Sequence, residues 1–181
     1  MTFPSFPKPC AVKEMYGRCV KPHCRDSHEE SKSYKIQKYL MDAKKTVDIA
    51  AQAITSHQIA DVLEKLAKGG VRVRIIRDYD NLSLLKGTEK VSALQKFGVQ
   101  FKVNGKLDPE DPKTMFVAGI FHHKFVIVDS KVLIHGSGNF TLKAVLQNYE
   151  CAVATNLPDV VGKIQKHYNN CWESFDNAIL K

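Results

Sequence analysis

The chain has 181 residues, of which 44% are hydrophobic and 25% are charged, which is typical of one soluble globular domain. No apolar run approaches the ~20 residues of a membrane-spanning helix, and the Pro-rich N-terminus lacks the apolar core of a signal peptide. The formal net charge of +8 favours a polyanionic partner, either a nucleic acid or an anionic membrane surface, and charge alone does not choose between them.

The N-terminal stretch contains a metal-ligand pattern, Cys10-x8-Cys19-x4-Cys24-x3-His28. Thiolate and imidazole ligands at such spacings suit tetrahedral zinc, and four protein ligands leave no open position for catalysis. The pattern therefore predicts a structural zinc site. His23 is a competing ligand, but it adjoins Cys24, and neighbouring residues rarely bind one metal, so His28 is preferred. The alternatives are unliganded cysteines in a mobile arm, or a disulfide between two of them.

The other two cysteines stand apart from this cluster. Cys151 lies in a strand-like stretch and Cys171 in a helical pattern, so both are predicted to be buried thiols. The odd count of five, with three cysteines close together, favours a metal site over a disulfide framework and indicates a reducing compartment.

The rest of the chain alternates helical and strand-like patterns. Apolar residues recur at helical spacing in 31–45, 56–68, 88–97, 141–147 and 158–179. Runs rich in β-branched residues predict strands at 46–54, 71–77, 99–103, 122–128, 131–135 and 149–155. This order predicts an α/β sandwich, in which a mixed central sheet has helices on both faces. We therefore expect two parts, a small zinc-binding element over residues 1–30 and a single domain over residues 31–181.

A polar string within this domain carries the candidate chemistry. It runs His122-x-Lys124-x4-Asp129-x6-Gly-Ser-x-Asn139, and Glu150 follows eleven residues later. Side chains alternate along a strand, so His122 and Lys124 project to the same side. Asp129 lies in a predicted turn, and the glycine-rich loop before Asn139 allows the backbone to approach a ligand closely. We therefore expect an imidazole, an ammonium and a carboxamide to meet on one anion.

These residue types suit a reaction at phosphorus. A neutral imidazole is a competent nucleophile or base near neutral pH, and a lysine supplies positive charge where phosphoryl oxygens gain negative charge. A histidine and a lysine two residues apart on a strand are, by themselves, more often a solvent-facing pair. The whole string in register is far more specific.

The string resembles the signature of the phospholipase D superfamily, whose members cleave phosphodiesters through a histidine nucleophile. The resemblance implies that residues 31–181 form a phospholipase D-like catalytic domain with His122 as the nucleophile. It also implies that Lys124 and Asn139 bind phosphoryl oxygens, and that Glu150 accepts a hydrogen bond from His122 and orients its ring.

The resemblance has three further implications. Ser137 is expected to hydrogen-bond near the phosphoryl group, and Asp129 to stabilise the turn. Superfamily members use two such histidines, whereas this chain has one copy of the string, so a C2 homodimer with a shared site is expected. Two imidazoles and two lysines supply proton transfer and charge, so no catalytic metal is required and any zinc is structural.

The CCCH-like element ahead of a single string is similar to the Zucchini, or mitochondrial phospholipase D, family, although its middle spacing is one residue shorter than usual. This similarity implies a single-strand-specific endoribonuclease of piRNA biogenesis on the mitochondrial outer membrane. The family's N-terminal anchor does not occur in these 181 residues. The first alternative is hydrolysis of cardiolipin to phosphatidic acid, and the second is a non-catalytic RNA-binding scaffold.

Basic and aromatic residues near the string bear on the substrate. Four lysines surround it in sequence and are candidates for tracking a phosphate backbone, which favours RNA: Lys102, Lys106, Lys113 and Lys143. Phe116 and Phe140 flank the string and are candidates for stacking on a base. The aromatic residues of the last helix, Trp172 and Phe175, are expected to pack in the core.

Overall fold

A six-stranded mixed β-sheet forms the centre of this computed structural model. Its strands are β1 (Thr46–Ala51), β2 (Arg72–Arg77), β3 (Gln100–Val103), β6 (Lys124–Val128), β7 (Val132–Gly136) and β8 (Ala152–Thr155). They lie in the order β3-β2-β1-β6-β7-β8, with β4 (Lys106–Leu107) and β5 (Met115–Phe116) in a separate small sheet. The first three strands are parallel and the others antiparallel to their neighbours, which confirms the predicted mixed sheet.

The structure describes residues 10–16, 18–21, 24, 32–79, 89–107, 110, 115–116 and 119–177. The predicted residues His23, His28 and Lys113 and the side chain of Lys106 lie outside this part. The helices are α1 (Ala11–Tyr16), α2 (Lys32–Met41), α3 (His57–Lys68), α4 (Glu89–Ser92), α5 (Leu142–Leu146) and α6 (Pro158–Ser174), and a 3-10 helix spans Ala93–Phe97. Within the described ranges, none of these helices has the length and apolar character needed to span a bilayer.

Alternate residues of a strand point to opposite sides, and both faces of this sheet carry buried apolar residues. One face, which includes Val47 and Ile49, packs against α2 and α3. The other face, which includes Ala50 and Ile127, packs against α6 through residues such as Tyr168. Trp172 and Phe175 pack against this second cluster, as predicted. Helices therefore cover both faces of the sheet.

A buried ion pair fastens α6 to the sheet. Asp48 on β1 accepts hydrogen bonds of 2.7 and 2.8 Å from the guanidinium of Arg74 on β2. The guanidinium also lies 5.0 Å from the ring centroids of both Tyr168 and Trp172 on α6. Gln165 of the same helix donates to Asp48 at 2.8 Å. Charge, hydrogen bonding and cation–π contact thus act together at one point of the interface.

Several element boundaries differ from the sequence predictions: β1 ends at Ala51 and not at residue 54, β6 begins at Lys124 and not at residue 122, and α6 ends at Ser174 and not at residue 179. Helix α2 ends at Met41 and not at residue 45, because the backbone N–H groups of Lys44 and Lys45 turn away to donate to Asp129. Strand β8 begins at Ala152, so the stretch 149–151 precedes it.

The prediction of a buried Cys151 is wrong, since its side chain is exposed beside the edge strand β8. The other separate cysteine, Cys171, is half-buried on α6.

Candidate active site

The start of strand β6 presents the candidate histidine and lysine. Lys124 begins the strand, lies opposite Ala51 at the end of β1 and is half-buried, whereas His122 precedes the strand and is exposed. Lys124 Nζ donates to the backbone oxygen of His122 at 2.9 Å. Asp78 is buried, and its Oδ2 accepts a 2.6 Å hydrogen bond from the backbone N–H of Phe121. The backbone on the N-terminal side of His122 is therefore anchored to the end of β2.

The pKa of Lys124 lies below its usual value. Burial of the ammonium lowers this pKa, and the negative charges of Glu150 and Asp78 partly oppose the effect. Both carboxylates therefore contribute negative charge near the candidate phosphate-binding lysine.

The glycine-rich loop after β7 brings the backbone and Glu150 close together. Gly136 lies opposite Ala152, and a Cβ at position 136 would overlap the carbonyl oxygen of Cys151. At Gly138 a Cβ would lie 3.2 Å from Cγ of Glu150, so this glycine leaves space for the Glu150 side chain. The two glycines of the string are thus explained by close packing.

Hydrogen bonds fix the orientation of Asn139. Its Oδ1 accepts from the backbone N–H of Ala53 at 3.2 Å, and its Nδ2 donates to Oε1 of Gln52 at 3.3 Å. Because the backbone donor identifies the oxygen of the carboxamide, Nδ2 is the atom that faces Gln52. An amide nitrogen carries two protons, so Asn139 retains a second N–H for a ligand.

The Glu150 carboxylate accepts hydrogen bonds from two side chains. The hydroxyl of Ser137 donates to Oε2, and Asn148 Nδ2 donates to Oε1 at 2.9 Å. The Ser137 hydroxyl oxygen also accepts from the backbone N–H of Cys151 at 3.1 Å. The proposed hydrogen bond from His122 to Glu150 stays a prediction.

Lys124, Asn139 and Glu150 line one cavity of about 60 Å³. The rest of its wall is largely apolar and comes from α2, α3, α5 and the β7–β8 edge, with Ile36, Ile59, Phe140, Ala144 and Val145 among its residues. A cation, a carboxamide and a carboxylate of the predicted site therefore line one small cleft, whereas His122 is not among the residues that line it.

His123 turns away from this cleft toward α6. Its Nε2 lies 2.9 Å from Nε2 of His167, and its ring packs edge-on against Phe121 with centroids 4.8 Å apart. Burial lowers the pKa of His123, and the neighbouring charges of His167, Lys124 and His122 lower it further. Adjacent histidines of the string thus occupy different environments, one exposed and one packed under a helix.

Asp129 lies at the opposite end of β6 from His122. Its carboxylate accepts three backbone hydrogen bonds of 2.7–2.8 Å, from Lys44, Lys45 and Thr46. Burial raises the pKa of Asp129, but these three bonds outweigh the effect and hold the pKa below its usual value. Asp129 and Ser130 adopt positive φ angles of 51° and 53° in the turn between β6 and β7.

We expect Asp129→Asn to lower the free energy of unfolding by about 2 kcal/mol. Asparagine tolerates the left-handed backbone, so the turn is kept, but one neutral oxygen replaces two charged acceptors. Because the folded-state pKa is depressed, the contribution is present above the unfolded pKa of about 4 and is lost as the pH falls through the folded value. Urea unfolding from pH 7 down to acid measures both effects, with exposed Asp42→Asn as the control; an equal loss at all pH values would contradict this role.

Other residues predicted near the site lie elsewhere. Lys102 is on β3, three strands from β6, and its Nζ donates to the carbonyl of Trp172 at 2.5 Å, so it does not adjoin the cleft. Phe140 is only 8% exposed within the core, which does not favour stacking on a base. Lys143 is exposed on α5, whose neighbouring residues line the cleft, and Phe116 is exposed on β5. Of the two predicted lysines whose side chains the structure describes, Lys143 is therefore the nearer to the cleft.

No sequence motif indicated Gln52, Asp78 or Asn148. Each is a common polar residue at the end of a strand or in a loop, and the partners of Gln52 and Asp78 lie on different segments, whereas Asn148 bonds to nearby Glu150. A polar side chain directly after an apolar strand, as at Gln52 and Asp78, is a weak signal that points to the same end of the sheet.

The N-terminal cysteines come together in the fold. The sulfur atoms of Cys10, Cys19 and Cys24 all lie within 4.8 Å of one another. The sulfurs of Cys10 and Cys24 are 3.6 Å apart, which is too long for a disulfide bond and close to the roughly 3.8 Å expected between thiolates on one tetrahedral zinc. Three soft sulfur donors at this spacing suit zinc.

Comparison with known proteins identifies the family. Residues 36–172 match the family model described as cardiolipin synthase, PLD-like domain. The mitochondrial cardiolipin hydrolase of Chlamydomonas reinhardtii is 32% identical over 173 residues, covering 96% of this chain and 72% of that protein. The mouse mitochondrial cardiolipin hydrolase is 31% identical over 84% of this chain, and the match spans only 63% of the mouse protein.

Solved structures share the fold. Nuc of Salmonella typhimurium, a phospholipase D family member, superposes with a TM-score of 0.69 at 23% identity, covering 80% of this chain and 88% of Nuc. NucT of Helicobacter pylori gives a TM-score of 0.68 at 24% identity, covering 80% of this chain and 89% of NucT. Most of the chain matches the family model, and the mixed sheet and the cleft at the end of β6 agree with that match. This chain belongs to the phospholipase D superfamily of phosphodiesterases.

Proposed function

We propose that this protein hydrolyses phosphodiesters through a covalent phosphohistidine at His122. The observation that carries the proposal is the convergence of Lys124, Asn139 and Glu150 on one cleft, at the strand end that exposes His122. In this proposal the cation and the amide donor bind the phosphoryl group of the substrate. Electrostatic stabilisation by such preorganised groups lowers the barrier at phosphorus.

The reaction has two displacements. In the first, a ring nitrogen of His122 bonds to phosphorus as the bond to the leaving oxygen breaks, and the partner subunit's His122 protonates that oxygen. In the second, a water gives its proton to the same partner imidazole and attacks phosphorus, which breaks the P–N bond and releases a phosphomonoester. Lys124 and the second N–H of Asn139 bind the phosphoryl oxygens. Glu150 orients His122, and Ser137 holds the Glu150 carboxylate.

The proposed enzyme is a C2 homodimer with a shared site. Large apolar side chains are exposed close to Glu150 in sequence and on the first turn of α6, where a second copy would cover them: Tyr149, Val153, Leu157 and Val160. An isologous interface would bring the two copies of His122 together across the two-fold axis.

Subunit mixing tests the shared site. Wild-type and His122→Asn subunits are unfolded together and refolded at varying ratios. Since a heterodimer contains a single imidazole at its site, we expect activity to fall as the square of the wild-type fraction. A linear fall would indicate independent sites in each chain.

Single-stranded RNA is the first candidate substrate. The net charge of +8 favours a polyanion, and exposed Lys143 lies on the helix that flanks the cleft. With the family resemblance, this proposal extends to an endoribonuclease of piRNA biogenesis at the mitochondrial outer membrane. Cardiolipin is the second candidate, because two relatives are named mitochondrial cardiolipin hydrolases and the cleft wall is largely apolar.

A side-by-side assay separates the two substrates. Pure protein is given a labelled single-stranded RNA and vesicles containing cardiolipin under the same conditions, together with the His122→Asn variant. We expect RNA fragments that the variant does not produce. Phosphatidic acid formation without RNA cleavage would instead assign the lipid reaction.

The zinc site is proposed to be structural. Cys10, Cys19 and Cys24 would supply thiolates, and His28, outside the described residues, is proposed as the fourth ligand. A bound zinc here would cross-link residues within the N-terminal segment, so it would contribute to folding.

We expect Cys19→Ser to remove the bound zinc and to lower Tm, because three ligands hold the metal much less tightly than four. Metal content by mass spectrometry and thermal unfolding measure the two effects, with Cys151→Ser as the matched control. A chelator added to the assay should not stop hydrolysis at once. Zinc content and Tm equal to those of the wild type would show that these cysteines bind no metal.

A further inference from the structure

We propose that Gln52 is a positioning residue for the hydrolysis reaction, acting through Asn139. This inference rests on the proposed function, in which Asn139 donates an N–H to a phosphoryl oxygen. Gln52 follows β1 directly, at the end of the sheet where β6 begins. Its side chain and its backbone reach two different parts of the candidate site.

The backbone of Gln52 holds the histidine–lysine segment. Its N–H donates to the carbonyl oxygen of His123 at 3.0 Å. His123 lies between the proposed nucleophile His122 and Lys124, so this bond fixes the peptide that joins them. Since it is a backbone bond, it persists when the Gln52 side chain is changed.

The side chain of Gln52 holds Asn139. Its Oε1 accepts the 3.3 Å hydrogen bond from Asn139 Nδ2, while the backbone N–H of Ala53 donates to Oδ1 of the same carboxamide at 3.2 Å. Two adjacent residues thus fix both ends of one amide group. With one Nδ2 proton directed to Gln52, the other has a defined direction.

The surrounding backbone makes this contact rigid. Phe140 N–H donates to the carbonyl of Ala53 at 3.2 Å, and the N–H groups of Thr55 and Ser56 donate to the carbonyl of Phe140 at 3.0 Å each. The segment that carries Gln52 is therefore bonded along its length to the segment that carries Asn139. In such a frame the Gln52 side chain decides how the carboxamide rotates, without being needed to hold the segments together.

Substitution of Gln52 by residues of similar size isolates this role. Gln52→Met keeps the length but removes the acceptor, and we expect kcat for bis(p-nitrophenyl) phosphate to fall about 10- to 100-fold, a usual range for a misplaced catalytic group. Gln52→Glu keeps an acceptor oxygen and adds a negative charge, so kcat should stay closer to the wild-type value while KM for the anionic substrate rises. Tm should change little in either variant. Gln100→Met, exposed on the far edge strand β3, is the control.

A double-mutant cycle with Asn139→Ala tests whether Gln52 acts through Asn139. Because Gln52 is proposed to act through Asn139, Gln52→Met should cause no further loss of kcat in the Asn139→Ala background. If the losses of kcat in the two single variants multiply in the double variant, Gln52 does not act through Asn139. A loss of kcat in Gln52→Met that accompanies a fall in Tm would also remove the positioning role, and both outcomes leave the proposed function intact. An Asn139→Ala variant with full activity would remove the role of Asn139, and this inference with it.

Discussion

The His122→Asn variant should lose hydrolysis of phosphodiesters by at least about 10⁴-fold, because the amide cannot form the covalent bond to phosphorus. In the proposed homodimer the one shared site would lose both its nucleophile and its acid through this single substitution. His122 is exposed, so its replacement should leave the fold unchanged and Tm within about 1 °C of the wild type. Rates with bis(p-nitrophenyl) phosphate and thermal unfolding measure the two quantities.

A matched control and a trapping experiment complete this prediction. His57→Asn removes an exposed imidazole at the start of α3 that does not line the cleft, and should keep full activity. Rapid quenching with phosphorus-labelled substrate should yield a phosphoramidate adduct on the wild type and none on His122→Asn. Cleavage that persists in the variant would remove the nucleophile assignment, and an intact biological output would favour a non-catalytic RNA-binding scaffold.

The largest expected effect on stability comes from Asp48→Ala. This change leaves the Arg74 guanidinium without its anion at a site where the two side chains are 10% and 2% exposed. Removing one partner of a buried ion pair costs about 3–5 kcal/mol. In a chain of this length the loss corresponds to a fall in Tm of roughly 10 °C. Urea and thermal unfolding measure it.

Two comparisons separate charge from packing at this site. Replacement of both residues, Asp48→Leu with Arg74→Met, should destabilise less than Asp48→Ala alone, because no uncompensated buried charge remains. At the exposed pair of Lys68 and Glu64 on α3, Glu64→Ala should cost only about 0.5 kcal/mol or less. If the double variant were the least stable of the three, the cation–π contacts with α6 would be the dominant contribution.

The elements and the polar string were predictable from the sequence because they depend on neighbours within a few residues. Alternation of side chains predicted His122 and Lys124 on one side, although β6 begins only at Lys124, and helical spacing predicted the buried faces of α3 and α6. Boundaries were less predictable where a distant group competes for the backbone. Asp129 binds the N–H groups of Lys44 and Lys45 from 84–85 residues away, so α2 ends early.

The sequence by itself determined three features: the string from His122 to Asn139, the alternation of helices and strands, and the clustered cysteines. Local chemistry and spacing are sufficient to recognise them. Only the tertiary structure decided that Gln52 bonds to Asn139, that Ser137 bonds to Glu150, and that Lys102 lies away from the cleft. The physical reason is the order of strands in the sheet. Hydrogen bonds between residues as far apart as 86–87 positions exist because β6 inserts beside β1, and no local pattern encodes that placement.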